Sequence, residues 1–88
     1  MQISAEISMY PLTDDYLPYI KSFIDRLENT QGLSVVGNTI STQIFGEFDL
    51  VMDTIKEEIH LSWQEFGRSI FVVKYLGRNL DPALNPHG

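Results

Sequence analysis

The chain has 88 residues. One domain of that size buries only about 60–65% of the surface its unfolded chain exposes, so association with further copies would add stability. Cysteine is absent, which excludes disulfides, thiolate zinc sites and thiol nucleophiles. The formal charge is −6 and the six Lys and Arg residues are scattered from Lys21 to Arg78, which speaks against a nucleic-acid surface. A negative field keeps a small domain in solution and mildly favours a cationic ligand.

The N-terminal segment lacks the basic and apolar regions of a leader, and no apolar run reaches the roughly 18–20 residues of a membrane span, so a soluble cytoplasmic protein is expected. Residues 2–10 place Ile3, Ala5, Ile7 and Met9 on one face and Gln2, Ser4, Glu6, Ser8 and Tyr10 on the other, the pattern of a half-buried strand stopped by Pro11. Thr13-Asp14-Asp15 supplies helix-capping chemistry. Pro18, harmless only in a first turn, favours Asp15 as the cap, with Asp14 as the alternative. Leu17, Ile20, Phe23, Ile24 and Leu27 follow at helical spacing, with Gly32 just beyond the end.

Two short β-prone runs, 33–36 and 39–45, meet across Gly37-Asn38, a hairpin signal. A second helix then starts with Asp49 as its expected cap. Its predicted core stripe is Met52, Ile55, Ile59, Ser62 or Trp63, and Phe66, with Asp53, Lys56, Glu57, His60 and Gln64 facing water and Gly67 at the C-terminal end. Residues 69–76 form a last strand, apolar on both sides, and residues 77–88 an irregular tail. His60 and His87 are too far apart in sequence and context to suggest a metal site, and none is expected.

The order strand, helix, strand, strand, helix, strand, with right-handed crossovers, predicts an α+β ferredoxin-like βαββαβ sandwich: one domain over 1–88, a four-stranded antiparallel sheet and two helices on one face. The first and third strands would be central. The helix-free face would carry Ser4, Glu6, Ser8, Tyr10, Ser41, Gln43, Phe45 and Glu47. An edge strand that exposes Phe or Tyr invites pairing or covering, so association through the sheet is expected.

The segment 41–53 is the one place where small, polar, acidic and aromatic side chains converge, as a strand turning directly into a helix. Three pieces, Ile7-Ser8-Met9-Tyr10-Pro11-Leu12, Ser41-Thr42-Gln43-Ile44-Phe45-Gly46-Glu47-Phe48 and Val51-Met52-Asp53-Thr54-Ile55-Lys56-Glu57, together resemble the thiamine-binding protein family, the MTH1187/YkoF-like group. The resemblance runs from the first strand to about residue 76. It implies a ferredoxin-like protein that binds thiamine or its hydroxymethylpyrimidine part without catalysis or further cofactor. It also implies a homo-oligomer, a dimer or tetramer assembled through the sheets, with internal duplication replaced by association of copies.

A thiamine site needs a hydroxyl or carbonyl, a carboxylate and an aromatic wall in a mostly apolar pocket. Thr42 alternates with Ile44 and Gly46 on the helix side, where Gly46 would open space; Ser41 and Glu47 point the other way unless a bulge at Gly46 re-aims the acid. Thr42 therefore leads the candidate ligand-binding set, followed by Ser41 and Glu47, with Gly46 and Tyr10 completing it. Each has a purely structural counterpart: Thr42 a strand residue, Gly46 the turn, Glu47 a complement to the helix dipole, Tyr10 and Phe45 oligomer contacts, Trp63 and Phe66 core.

Other functions of this fold lack their chemistry. A metal carrier needs Cys-x-x-Cys, an RNA-recognition motif needs basic and aromatic residues where Glu6 and Glu47 stand, and an acylphosphatase-like loop needs Arg where Tyr10-Pro11-Leu12-Thr13-Asp14 runs. No enzyme activity is expected. The alternative to a ligand-binding protein is a structural or regulatory interaction module that has lost its ligand.

Overall fold

A computed structural model describes residues 1–38 and 40–85. The elements are β1 (Gln2–Pro11), α1 (Leu17–Glu28), β2 (Ser34–Gly37), β3 (Thr42–Glu47), α2 (Phe48–Phe66) and β4 (Ser69–Leu76). The strands form one antiparallel sheet in the order β2-β3-β1-β4, so β1 and β3 are central, as the element order with right-handed crossovers predicts. Thr39 and His87 lie outside the described residues, and β3 is described from Thr42.

The core forms where the period-2 face of the sheet meets the helices. Ile3, Ala5 and Ile7 of β1 and Ile44 of β3 pack with Phe23 and Leu27 of α1 and Val51 and Ile55 of α2. Burying a side chain such as Phe23 or Leu27 contributes about 1.5–3 kcal/mol. Phe71 and Val73 of β4 pack against this cluster from the edge. Their neighbours Ile70 and Val72 remain about half exposed on the opposite face.

Both helix starts differ from expectation. α1 begins one residue later than Asp15 would set it: Tyr16 is the cap residue and gives no side-chain cap bond. The reason is Pro18, which removes one of the first-turn N–H groups a side chain could cap, while the next two, on Tyr19 and Ile20, are taken by the Tyr16 carbonyl. Leu17, at the first position, is exposed. At α2 the cap is Glu47, not Asp49: its carboxylate accepts from the Leu50 N–H at 3.1 Å.

The buried stripe of α2 is Val51, Ile55, Glu58 and Ser62. Met52 and Trp63, each one residue along, are rotated about 100° away by the helical repeat and are partly exposed. Trp63 is nonetheless held, with its indole N–H donating to the Ser69 carbonyl at 3.0 Å and its ring edge-on to Phe71. Phe66, half-buried, stacks on Tyr19 with ring centroids 4.2 Å apart. Gly67 ends the helix with φ 77°, a conformation that disfavours other residues, and its N–H donates to the Trp63 carbonyl.

Two polar residues therefore occupy the seam between the helices. Arg26 of α1 pairs through Nε with the buried Glu58 carboxylate, and it also donates to Ser22 Oγ at 2.8 Å and Ser62 Oγ at 3.2 Å. A buried carboxylate is tolerated because these partners are present.

Candidate functional site at the helix-free sheet face

Register decides what shares the open face. Val36, Gln43, Glu6 and Lys74 form one row across all four strands, and Ser34, Phe45, Ser4 and Leu76 form the next. Glu6 is the centre of the first row. Its Oε2 accepts from Ser41 Oγ at 3.1 Å and lies 3.5 Å from Gln43 Nε2, and its Oε1 lies 3.8 Å from Lys74 Nζ. A hydroxyl, an amide and an ammonium thus converge on a partly exposed carboxylate in the middle of a sheet.

The second row anchors the tail. Ser4 Oγ donates to the Arg78 carbonyl at 2.6 Å and accepts from the Leu80 N–H at 2.8 Å, which holds residues 78–80 against the helix-free face. Asn79 donates to Gln2 Oε1, and buried Asp81 organises a turn by accepting from the Ala83 N–H at 3.0 Å. Residues 77–85 are irregular in backbone, as expected, and these hydrogen bonds hold them as a strap. Between strap and sheet lies a groove of about 770 Å³, walled by Phe45, Leu76 and Leu80 and bordered by Glu6, Gln43, Lys74, Tyr75 and Arg78. Phe45 is only 4% exposed despite its place on this face. Tyr75 is about half exposed, and the desolvation of its covered part raises its phenol pKa above the ordinary value.

The predicted site residues are divided by this geometry. Ser41 is at the Glu6 cluster. Thr42, 6% exposed, is opposite Ile7 on the helix side, a full sheet thickness from that cluster. Gly46 shares the helix side, and the β1–β3 register passes through it without a bulge. It does not open a cavity: a Cβ there would meet Leu33 Cδ2 at 3.0 Å and the Gly32 carbonyl at 3.2 Å. Glu47 is occupied at the α2 start and lies 4.0 Å from the N-terminal amine. Tyr10, 53% exposed, is at the far end of β1 beside Ile70. Glu6, Gln43 and Lys74 were not among the candidates. Alternation alone puts Glu6 and Gln43 on one face, but only the pairing register makes them neighbours.

Among the described residues, no group of three His, Asp or Glu side chains is placed to hold a metal ion, and no helix is long and apolar enough to cross a membrane.

The model of the family described as "YKOF-related Family" matches residues 2–72. The chain belongs to this family. Its fold recurs in solved structures. A Streptococcus pneumoniae protein matches over all of both chains at 24% identity and TM-score 0.83. A Thermotoga maritima protein, provisionally described as one of thiamine biosynthesis or salvage, does so at 19% identity and TM-score 0.83. A Bacillus cereus domain of unknown function, DUF77, matches over 91% of this chain and 79% of its own at 19% identity and TM-score 0.75. No curated protein matches the chain. For this YKOF-related chain, identities this low establish the shared fold; the site has to be argued from its own residues.

Proposed function

We propose that this chain is a non-enzymatic binding protein for thiamine or its hydroxymethylpyrimidine moiety, acting as a homo-oligomer. Membership of the YKOF-related family and the likeness to the Thermotoga maritima protein favour a thiamine-related ligand. The observation that carries the reading is the Glu6 cluster. An aminopyrimidine offers one amino donor and two ring acceptors; on binding, its amine takes the place of the Ser41 hydroxyl and Gln43 amide on the Glu6 carboxylate, and these two turn to donate to ring nitrogens. Phe45, Leu76 and Leu80 supply the apolar walls such a ring requires. Of the residues expected from sequence, Ser41 fits this site directly, whereas Thr42, Gly46, Glu47 and Tyr10 lie outside it.

The other end of the same face favours the second reading, an interaction module without a ligand, because Tyr10, Ile70 and Val72 are each about half exposed there. Calorimetric titration with thiamine and with hydroxymethylpyrimidine separates the two. Glu6→Gln should weaken binding about tenfold or more, by removal of a charge-assisted hydrogen bond. Thr42→Val, on the opposite side of the sheet, should leave it unchanged. The reverse pattern places the pocket under the helices and overturns the site. Absence of heat and of any thermal shift at millimolar ligand favours the interaction module.

A further inference from the structure

The charge lining the groove runs against the charge of the chain. Acidic residues outnumber basic ones twelve to six overall, yet the groove is bordered by one acid, Glu6, and two cations, Lys74 and Arg78. Among the described residues, Asp81 and Glu47, on elements that adjoin the groove, are engaged. Asp81 is buried and accepts from the Ala83 N–H, and Glu47 caps α2 and faces the N-terminal amine. Glu6 is itself matched by Lys74 at 3.8 Å, which among the described residues leaves Arg78 as the surplus positive charge bordering the groove. The position of Arg78 is built: its carbonyl accepts from Ser4 Oγ, its N–H donates to the Leu76 carbonyl at 2.8 Å, and the Leu80 N–H closes back on Ser4.

A cationic ligand alone gains nothing from such a rim, whereas an anionic substituent does. Resting on the reading that the Glu6 cluster takes an aminopyrimidine, we propose that the groove selects a phosphate monoester of that ligand, with Lys74 and Arg78 holding the phosphate and Ser4 positioning Arg78. The pyrimidine lies on the Glu6 row, and the phosphate lies one row away, under the strap. A guanidinium presents paired donors to phosphate oxygens, while the ammonium acts as a mobile point charge. Arg78 is therefore the main determinant of the preference. The family match ends at residue 72, before either cation, so Lys74 on β4 and Arg78 on the strap both lie outside the matched residues.

The test is calorimetric titration of the intact chain with four probes: hydroxymethylpyrimidine, its phosphate monoester, thiamine and thiamine monophosphate. Each phosphate should bind about tenfold or more tighter than its parent, and the gap should narrow as salt rises. Arg78→Ala and Lys74→Ala together should erase the gap while both parents retain their affinity for Arg78→Ala alone. Ser4→Ala should shrink the gap, with the phosphates losing more affinity than the parents. Both cations are exposed, so circular dichroism melting should show the fold intact. If the parents bind and their phosphates bind no tighter, the phosphate proposal is wrong and the pyrimidine site stands. The same holds if the gap survives in the Lys74→Ala/Arg78→Ala chain. If none of the four binds, both readings fail.

Discussion

Glu47 and Asp49 compete for the start of α2, and the outcome rests on one bond. A residue two positions before Asp49 has the extended backbone that lets a carboxylate fold back onto the first-turn N–H groups, and Glu47, at ψ 144°, takes it. Asp49 lies inside the first turn and contributes only through the helix dipole. Glu47→Ala should therefore lower stability by about 0.5–1 kcal/mol and Asp49→Ala by no more than a few tenths, read from urea midpoints at constant slope. A larger loss for Asp49→Ala would contradict the assigned cap. Gly46 teaches a similar lesson. Its lack of a side chain was legible, but whether the space is empty depends on Leu33 and Gly32, which arrive from a different turn.

At the scale of elements, the α1–α2 seam is the least expected feature. Helical spacing placed Met52, Ile55, Ile59, Ser62 or Trp63, and Phe66 in one stripe; Ile55 and Ser62 are buried and Ile59 packs against the core, but Met52 and Trp63 are exposed, and Val51 and Glu58 are buried in their stead. Arg26 makes this possible. It lies 32 residues from Glu58 in sequence, and no local pattern links the two. Removing one partner leaves a buried charge. Glu58→Ala should thus cost about 2–3 kcal/mol, while the double replacement Arg26→Met with Glu58→Leu should recover most or all of it. Chemical denaturation of the single and double variants checks this, and equal destabilisation by both would mean that the pair matters for more than mutual neutralisation.

At the scale of the whole molecule, one sheet face does two things at two ends. The Glu6 and Ser4 rows carry the groove, and the rows of Ser8 with Val72 and Tyr10 with Ile70 present half-exposed apolar side chains on a free edge strand. An edge of that composition invites a second copy. If association uses it, Val72→Lys should shift the sedimentation profile toward monomer while moving the melting temperature of the monomer little, because Val72 is 48% exposed. A wild-type chain that sediments as a monomer at high concentration would remove the homo-oligomer from the proposal.

Alternating apolar residues in β1, the helical spacing in α1 and Gly67 at the end of α2 determined the element order, the sheet face that is buried and hence the fold, because each is a local property of a few successive residues; the expected turn at Gly37-Asn38 is displaced, since Gly37 still pairs with Thr42 as the last residue of β2. Tertiary structure alone decided the site. Glu6 meets Gln43 through strand register and meets Ser41 across 35 positions of sequence, and Ser4 captures a strap 74 positions away. Side-chain period reports which face a residue occupies, but not which distant residue stands beside it. That second fact is fixed by the pairing of strands and by long-range hydrogen bonds, and it is why the groove gathers Glu6, Lys74 and Arg78 where the sequence showed only scattered charges.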